Sequence, residues 1–283
     1  MEIRTLEGVT TKEIVEAFNH AFSDYFIPFK LTEAQLEQKM QADKTDLSLS
    51  VGAFVNDKLI AFILHGFDHI NGQNVVYNGG TGVIPEKRGS GLTKQMYRFI
   101  TPLLIEKQIN RLVLEVITEN VQAIKSYQNS GFKTRRVLAC YKGNVTASGK
   151  HKAIDIRNLH NYNWTVMQSF WDITPTWQNS NTVLDELNSN NVSLGAFIDD
   201  QLVGYIIFSP STKRIQQVAI DKNYRRQGVA SALILKLAET YGDTLSVINV
   251  DKISTGIDHF FRKIGLENYL EQLEMKLELN TTP

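Results

Sequence analysis

Apolar and polar positions along this chain recur in two periods, near two and near 3.6, and the switches between them mark out the elements. Residues 3–6 read as a short edge strand. Residues 11–22 carry apolar side chains at helical spacing behind Thr10 or Thr11, either of which suits an N-cap. A second helix is expected over 31–40, where Thr32 and Gln35 stand as a capping-box pair. Residues 50–55 and 59–64 read as a hairpin about Asn56-Asp57. After an Asn71-Gly72 turn, a strand over 74–84 leads into a helix over 92–100, which Pro102 is expected to kink or end. Residues 111–117, RLVLEVI, are almost continuously apolar, as in a central strand covered on both faces. A helix over 120–129 follows and stops at Gly131.

The pattern then starts again. Glu2-Ile3-Arg4-Thr5-Leu6 returns as Asp155-Ile156-Arg157-Asn158-Leu159, and VGAFVNDKLIAFI at 51–63 returns as LGAFIDDQLVGYI at 194–206. Gly52, Gly91 and Gly131 recur in order as Gly195, Gly228 and Gly265, with an offset that shrinks smoothly along the chain. Matching features in one order read as an internal duplication. GNVTASGK at 143–150 reads as the linker, which divides the chain into domains 1–145 and 146–283. In the second copy the pattern predicts a strand over 153–158 and helices within 162–189, broken by Pro175. A hairpin over 193–208, strand 214–221, helix 228–241, strand 244–250, helix 255–263 and strand 272–279 follow. The alternation at 270–279 suits pairing within the second domain or across the two. The fold class is α/β with a mixed sheet, in tandem.

Composition narrows the function. Hydrophobic residues make up 42% of the chain, enough for globular cores. Thirty basic and thirty acidic residues cancel, so nothing in the balance points to nucleic acid or an anionic membrane. The apolar runs are too short to span a bilayer, no signal peptide is visible, and Cys140 is the only cysteine. A soluble cytoplasmic protein is expected.

Each copy places a glycine-led turn between a strand and a helix: VIPEKRGSGLT at 83–93 and VAIDKNYRRQGVA at 218–230. Arg88, Gly91 and Thr93 match Arg225, Gly228 and Ala230 in spacing. Glycine lets a ligand approach the backbone, and the free N–H groups of a helix's first turn favour an anion. Lys87, Arg88, Arg225 and Arg226 add positive charge. Each turn is a phosphate cradle in outline. R-x-x-G-x-A resembles the acetyl-CoA pyrophosphate loop of the GNAT (GCN5-related) N-acetyltransferase superfamily. Asn120-x-x-Ala123-x-x-x-Tyr127-x-x-x-Gly131-Phe132 resembles that family's N-x-x-A-x-x-x-Y-x-x-x-G-F signature.

The resemblance covers nearly the whole chain and implies two tandem acyl-CoA N-acyltransferase domains. It implies acetyl-CoA as cosubstrate without a metal, lying in a gap between splayed strands. It also implies acetyl transfer, by direct attack, to a primary amine on a small molecule or peptide. Val83, Arg88, Gly89, Ser90, Gly91, Thr93 and Asn120 in the first copy, and Arg225, Arg226, Gly228 and Ala230 in the second, are expected to hold the CoA. The role of acid toward the CoA sulfur falls on Tyr127.

Glu115 is the only charge within the apolar run 112–117. Burial would raise its pKa toward that of a general base; a salt bridge or an open strand edge is the alternative. In the second copy Phe261 stands at the place of Tyr127, Asn249 at that of Glu115 and Ser254 at that of Asn120, with Asp251, two residues from Asn249 on the same strand face, as a candidate replacement. Catalysis is therefore expected in the N-terminal half, with the C-terminal half binding CoA or serving structure. The reverse stays open through Tyr205, Tyr224 or Tyr269. Two other readings stand beside it: a non-catalytic acyl-CoA-binding module, and aminoacyl transfer from tRNA, which the neutral charge disfavours. Phe22, Tyr25, Phe26 and Phe29 read as an acceptor wall or as core, with Asp24 placed to hold an amine. His65 and His69 fall on a strand and turn, which argues against a metal pair, and Cys140 reads as packed. The assembly state is open, a homodimer included.

Overall fold

A computed structural model of the chain describes residues 1–24, 30–146 and 154–279. It divides into two compact units. Unit 1 comprises Met1–Arg135 and Leu273–Pro283, and unit 2 comprises Arg136–Gln272.

Unit 1 begins with β1 (Glu2–Thr5), α1 (Thr11–Ala21) and α2 (Glu33–Ala42). Both helices open on capping boxes, Thr10 with Glu13 and Thr32 with Gln35, which satisfy the orphan donors of the first turn. β2 (Val51–Val55), β3 (Lys58–Ile70) and β4 (Gln73–Val83) form an antiparallel meander. Asn56 and Asp57 make the first turn at φ 49° and 60°, the left-handed pair of a tight hairpin. Next come α3 (Leu92–Glu106), β5 (Arg111–Ile117) and α4 (Val121–Asn129). α3 runs through Pro102, where a kink or stop was expected. Ile100 and Leu104, fully buried on either side of the proline, keep both turns docked, and that burial offsets the roughly 3 kcal/mol cost of the missing hydrogen bond.

β6 (Lys133–Asn144) leads into unit 2, which continues with β7 (Asp155–Asn158) and α5 (Trp164–Ser169). A 3-10 turn at Trp177–Asn179 and α6 (Asn181–Glu186) come next, then the hairpin β8 (Val192–Ile198) and β9 (Gln201–Ser209). Asp199 and Asp200 turn it as Asn56 and Asp57 turn its counterpart. β10 (Arg214–Ile220), α7 (Val229–Tyr241), β11 (Thr244–Asp251), α8 (Thr255–Lys263) and β12 (Leu266–Glu278) complete the order.

The strands of unit 1 lie in the order β1-β2-β3-β4-β5-β12, and those of unit 2 in the order β7-β8-β9-β10-β11-β6. Each unit thus receives its last strand from the other half of the sequence. The linker reading put 136–145 with the first domain and 273–283 with the second; in the compact units the two stretches are exchanged. Alternation specifies which face of a strand is buried but not which edge it joins. Met275 and Leu279 are buried in the unit 1 core against side chains that include Met96, Ile100 and Leu112. In unit 2, Leu233, Ile234 and Leu237 of α7 pack among Ile206, Phe208 and Leu245.

Parallel pairing in both units is short. β4 pairs β5 only from Val75↔Arg111 to Tyr77↔Val113. β10 pairs β11 only at Arg214↔Ser246 and Ile215↔Val247. Beyond these points the strands continue unpaired with each other, so each unit opens a gap on its sheet. At the mouth of each gap the inner strand carries an extra residue, Gly79 in β4 and Gln216 in β10.

Candidate functional site

The glycine-led turns sit at the end of β4 and of β10. A 3-10 turn, Pro85–Lys87 or Lys222–Tyr224, is followed by two left-handed residues: Gly89 and Gly91 at φ 75° and 73°, Arg226 and Gly228 at 61° and 88°. Gly91 and Gly228 start α3 and α7 without a side-chain cap, so the cap position itself leaves those first-turn N–H groups free for a ligand. A Cβ on Gly91 would meet nothing within 4 Å, which leaves the backbone open to an anion. Ser90 Oγ donates to the Lys87 carbonyl at 2.5 Å. Thr93 is buried on α3, and Ala230 is half-buried on α7.

Arg88 and Arg225 are placed differently from the phosphate-binding role the sequence suggests. Arg88 donates from Nε to the Val83 carbonyl at 3.3 Å, and from its terminal nitrogens to Asp24 at 2.6 and 2.8 Å and to the Ala21 carbonyl at 2.8 Å. Arg225 repeats this on Ile220, Asp172 and Phe170 at 3.0, 2.7 and 2.8 Å. The hydrogen bonds from Arg88 hold the Asp24 carboxyl below its ordinary range and raise the guanidinium in turn. Asp24 is thus engaged by an arginine of its own chain. Lys87 and Arg226 remain exposed at the turns, and Arg226 makes no ion pair among the described residues.

In the gap of unit 1, the Tyr77 hydroxyl donates to Glu115 Oε2 at 2.7 Å. Glu115 is half-buried, and Tyr77 is 4% exposed. Burial, then the charges of Glu115 and Asp43, push the Tyr77 phenol well above its usual value, so it stays a donor. Tyr127, on α4, is buried with its ring edge-on to Phe132 at 5.8 Å, and it interacts electrostatically with Tyr77 and Tyr97. Asn120 caps α4 by accepting from the Ala123 N–H at 3.1 Å, which places a helix-starting asparagine at the end of β5. Asp43 is buried in an ion pair with Lys39, whose ammonium also donates to the Gly79 carbonyl at 2.7 Å. His65 lies on β3, fully buried. Its Nδ1 donates to the Leu49 carbonyl at 2.8 Å, and burial drives its pKa down to about 4. Tyr77, Asp43 and Lys39 were not singled out from sequence. Tyr77 ends its strand pairing two residues before the register reaches Glu115, a relation that only the β4–β5 register reveals.

Unit 2 contains a cleft of about 1310 Å³ along its gap. Arg226, Gly228 and Ala230 line one end, and Gln217, Asn179 and Asn249 line the region near the last β10–β11 pair. Tyr205 lines it too, but its hydroxyl donates to Gln217 Oε1 at 2.7 Å and accepts from Trp171 Nε1 at 2.6 Å. Gln217 Nε2 donates to the Asn179 carbonyl at 2.6 Å. Asn249 sits at φ 60° in a bulge and accepts from Gln272 at 2.8 Å. Phe261 is buried against Tyr141. Asp251 is ion-paired with Arg136 at 3.1 Å. Tyr224 lines the cleft, and Tyr269 does not. Ser254 starts α8 without a capping bond. Cys140 is fully buried, as expected of a packed thiol.

Phe22 packs on Phe18 at a centroid distance of 4.6 Å, within the unit 1 core. Tyr25, Phe26 and Phe29, named as an acceptor wall, lie outside the described residues. Among the described residues, no group of three or more His, Cys, Asp or Glu side chains could hold a metal ion, and no helix is long and apolar enough to cross a membrane.

The acetyltransferase (GNAT) family model matches the chain twice, over residues 14–132 and 156–266. Among solved structures, a GCN5-related N-acetyltransferase from Sphaerobacter thermophilus shares the fold at a TM-score of 0.73 and 13% identity, over 98% of this chain and 95% of that one. A tandem GNAT protein from the clavulanic acid biosynthesis pathway does so at 0.72 and 10% identity, over 100% and 99%.

Proposed function

The chain belongs to the acetyltransferase (GNAT) family, and on that premise we propose that it transfers an acetyl group from acetyl-CoA to the primary amine of a small molecule or peptide, with the chemistry in unit 1. The observation that carries this reading is the hydrogen bond from Tyr77, in the last β4–β5 pair, to Glu115, two residues past it at the start of the gap. Glu115 takes a proton from the incoming ammonium, directly or through water. The freed amine attacks the thioester carbonyl, the C–N bond forms, and the C–S bond breaks as the tetrahedral intermediate collapses. Tyr127 gives its proton to the departing sulfur, the nitrogen of the new amide sheds its remaining extra proton to solvent, and Glu115 and Tyr127 regain their starting protonation states by exchange with solvent. First-turn N–H groups of α3, with Lys87, hold the pyrophosphate.

A second reading draws on the cleft of unit 2. It is open beside an intact Gly228 turn, while Phe261 and Asn249 stand where unit 1 has Tyr127 and Glu115. That cleft takes acyl-CoA without an acid or base at the place of Tyr127 or Glu115. Calorimetric titration with acetyl-CoA tests both. The expected result is binding that Gly91→Val weakens at the site supporting turnover, while Gly228→Val removes a second site and spares turnover. No binding by the intact protein overturns the acetyl-CoA reading. Loss of turnover with Gly228→Val alone moves the chemistry to unit 2.

A further inference from the structure

We propose that Arg88 and Arg225 are positioning residues. Each fixes the loop stretch after the first helical segment of its unit, residues 21–24 or 170–172, to the end of the cradle strand, and neither binds phosphate. The inference rests on the acyl-CoA reading for what the loop serves, and on geometry for the clamp itself.

Three points are held in each unit. The guanidinium Nε takes the carbonyl of the last strand residue, Val83 or Ile220. Its terminal nitrogens take a carbonyl at the end of the first helical segment, Ala21 or Phe170, and a carboxylate two or three residues further on, Asp24 or Asp172. The same three-point arrangement is built twice on sequences that diverge at the gap residues Tyr127/Phe261 and Glu115/Asn249. A guanidinium facing a carboxylate at 2.7 Å contributes a dipole and no net charge, so it adds little field for a pyrophosphate. A phosphate would have to displace a bonded carboxylate to reach it. Arg226, the next residue, is left-handed and exposed and makes no ion pair among the described residues.

What the clamp holds is plain in unit 2. Between Phe170 and Asp172 lies Trp171, whose indole N–H donates to the Tyr205 hydroxyl in the cleft. Phe170 is buried, with its ring 6.4 Å from that of Tyr205. With Arg225 anchoring both neighbours, Trp171 is held as a wall of the cleft near the end of the β10–β11 pairing. Besides the clamp, the Trp171–Tyr205 hydrogen bond and the packing of Phe170 on Tyr205 tie residues 170–172 to the cleft.

All three tryptophans, Trp164, Trp171 and Trp177, fall in this stretch, so intrinsic fluorescence reads it directly in the full chain. Acrylamide quenching and acetyl-CoA calorimetry are measured on the intact protein and on Asp172→Asn, Asp172→Glu, Arg225→Lys and Arg226→Gln. Quenching is expected to rise in Asp172→Asn and Arg225→Lys, to return toward the intact value in Asp172→Glu, and to lose the rise when Trp171→Phe is added. Acetyl-CoA affinity is expected to stay within about twofold in Asp172→Asn and Arg225→Lys, and to fall about tenfold in Arg226→Gln, the size of one charge-assisted contact. Unchanged quenching in both clamp variants overturns the positioning role. A tenfold loss of affinity in Arg225→Lys matching that of Arg226→Gln makes Arg225 a phosphate ligand and overturns it too. If the intact protein binds no acetyl-CoA, the functional reading fails, and quenching alone still decides whether the clamp holds the wall.

Discussion

Unit 1 should lose stability in mild acid through one residue, His65. Its Nδ1 is bonded to the Leu49 carbonyl, its Nε2 is buried without a partner, and burial lowers its pKa from 6.5 to about 4. A folded-state pKa below the unfolded one means that the unfolded chain binds the extra proton. Stability is then full above pH 6.5 and drains away as pH falls toward 4. The linkage relation gives a loss of about 1 kcal/mol by pH 5.5 and about 2–3 kcal/mol by pH 4.5, relative to pH 7.5. The second copy supplies the control, because the matching position there is Phe208, fully buried. His65→Phe removes the titrating group and places in unit 1 the ring that unit 2 already accommodates. Its stability at neutral pH is set by repacking around Tyr97, 6.0 Å away, so the informative quantity is the pH slope. Hydrogen exchange of peptides from β3, followed at pH 7.5, 5.5 and 4.5, reads unit 1 specifically. The tryptophans report only on unit 2. The intact protein should lose protection by about 2–3 kcal/mol more than His65→Phe over that range. Parallel pH dependences would refute the assignment of the acid sensitivity to His65.

Three further outcomes test the chemistry. Glu115→Gln should lower kcat by about 10²–10⁴ with acetyl-CoA affinity retained, as for loss of a general base, in stopped-flow detection of free thiol. Tyr127→Phe should cost turnover on a similar scale and leave binding intact, since its role is confined to the departing sulfur; an unchanged kcat removes the acid assignment. Tyr77→Phe should lower kcat by about tenfold, the value of one hydrogen bond to a carboxylate, and should change nothing further in a Glu115→Gln background.

The duplication, both cradles, the capping boxes and the hairpin turns were legible because each depends on residues close in sequence. Thr32 and Gln35, or Asn56 and Asp57, carry their geometry in their own spacing. The gap was legible only through the family resemblance, since the end of pairing at Tyr77↔Val113 leaves no mark on either strand. Tyr77 escaped notice for the same reason, because its partnership with Glu115 depends on register. The ion pairs of Arg88 and Arg225 were not legible, because a basic residue beside a glycine turn looks the same whether or not a carboxylate 64 or 53 positions earlier pairs with it. The helix was expected to kink or end at Pro102; that it continues to Glu106 was not legible, because sequence alone does not weigh local cost against the burial of Ile100 and Leu104.

The exchange of final strands has a consequence for biosynthesis. Unit 1 has most of its residues once Arg135 has been made, but its closing strand, with Met275 and Leu279, emerges only about 140 residues later. At about 5–20 residues per second the first half waits roughly 7–30 s with one sheet edge uncovered. The nascent N-terminal half is then a client for chaperones for as long as the second half takes to appear. A stop codon near the 3′ end of the message would injure the half of the protein that was translated first.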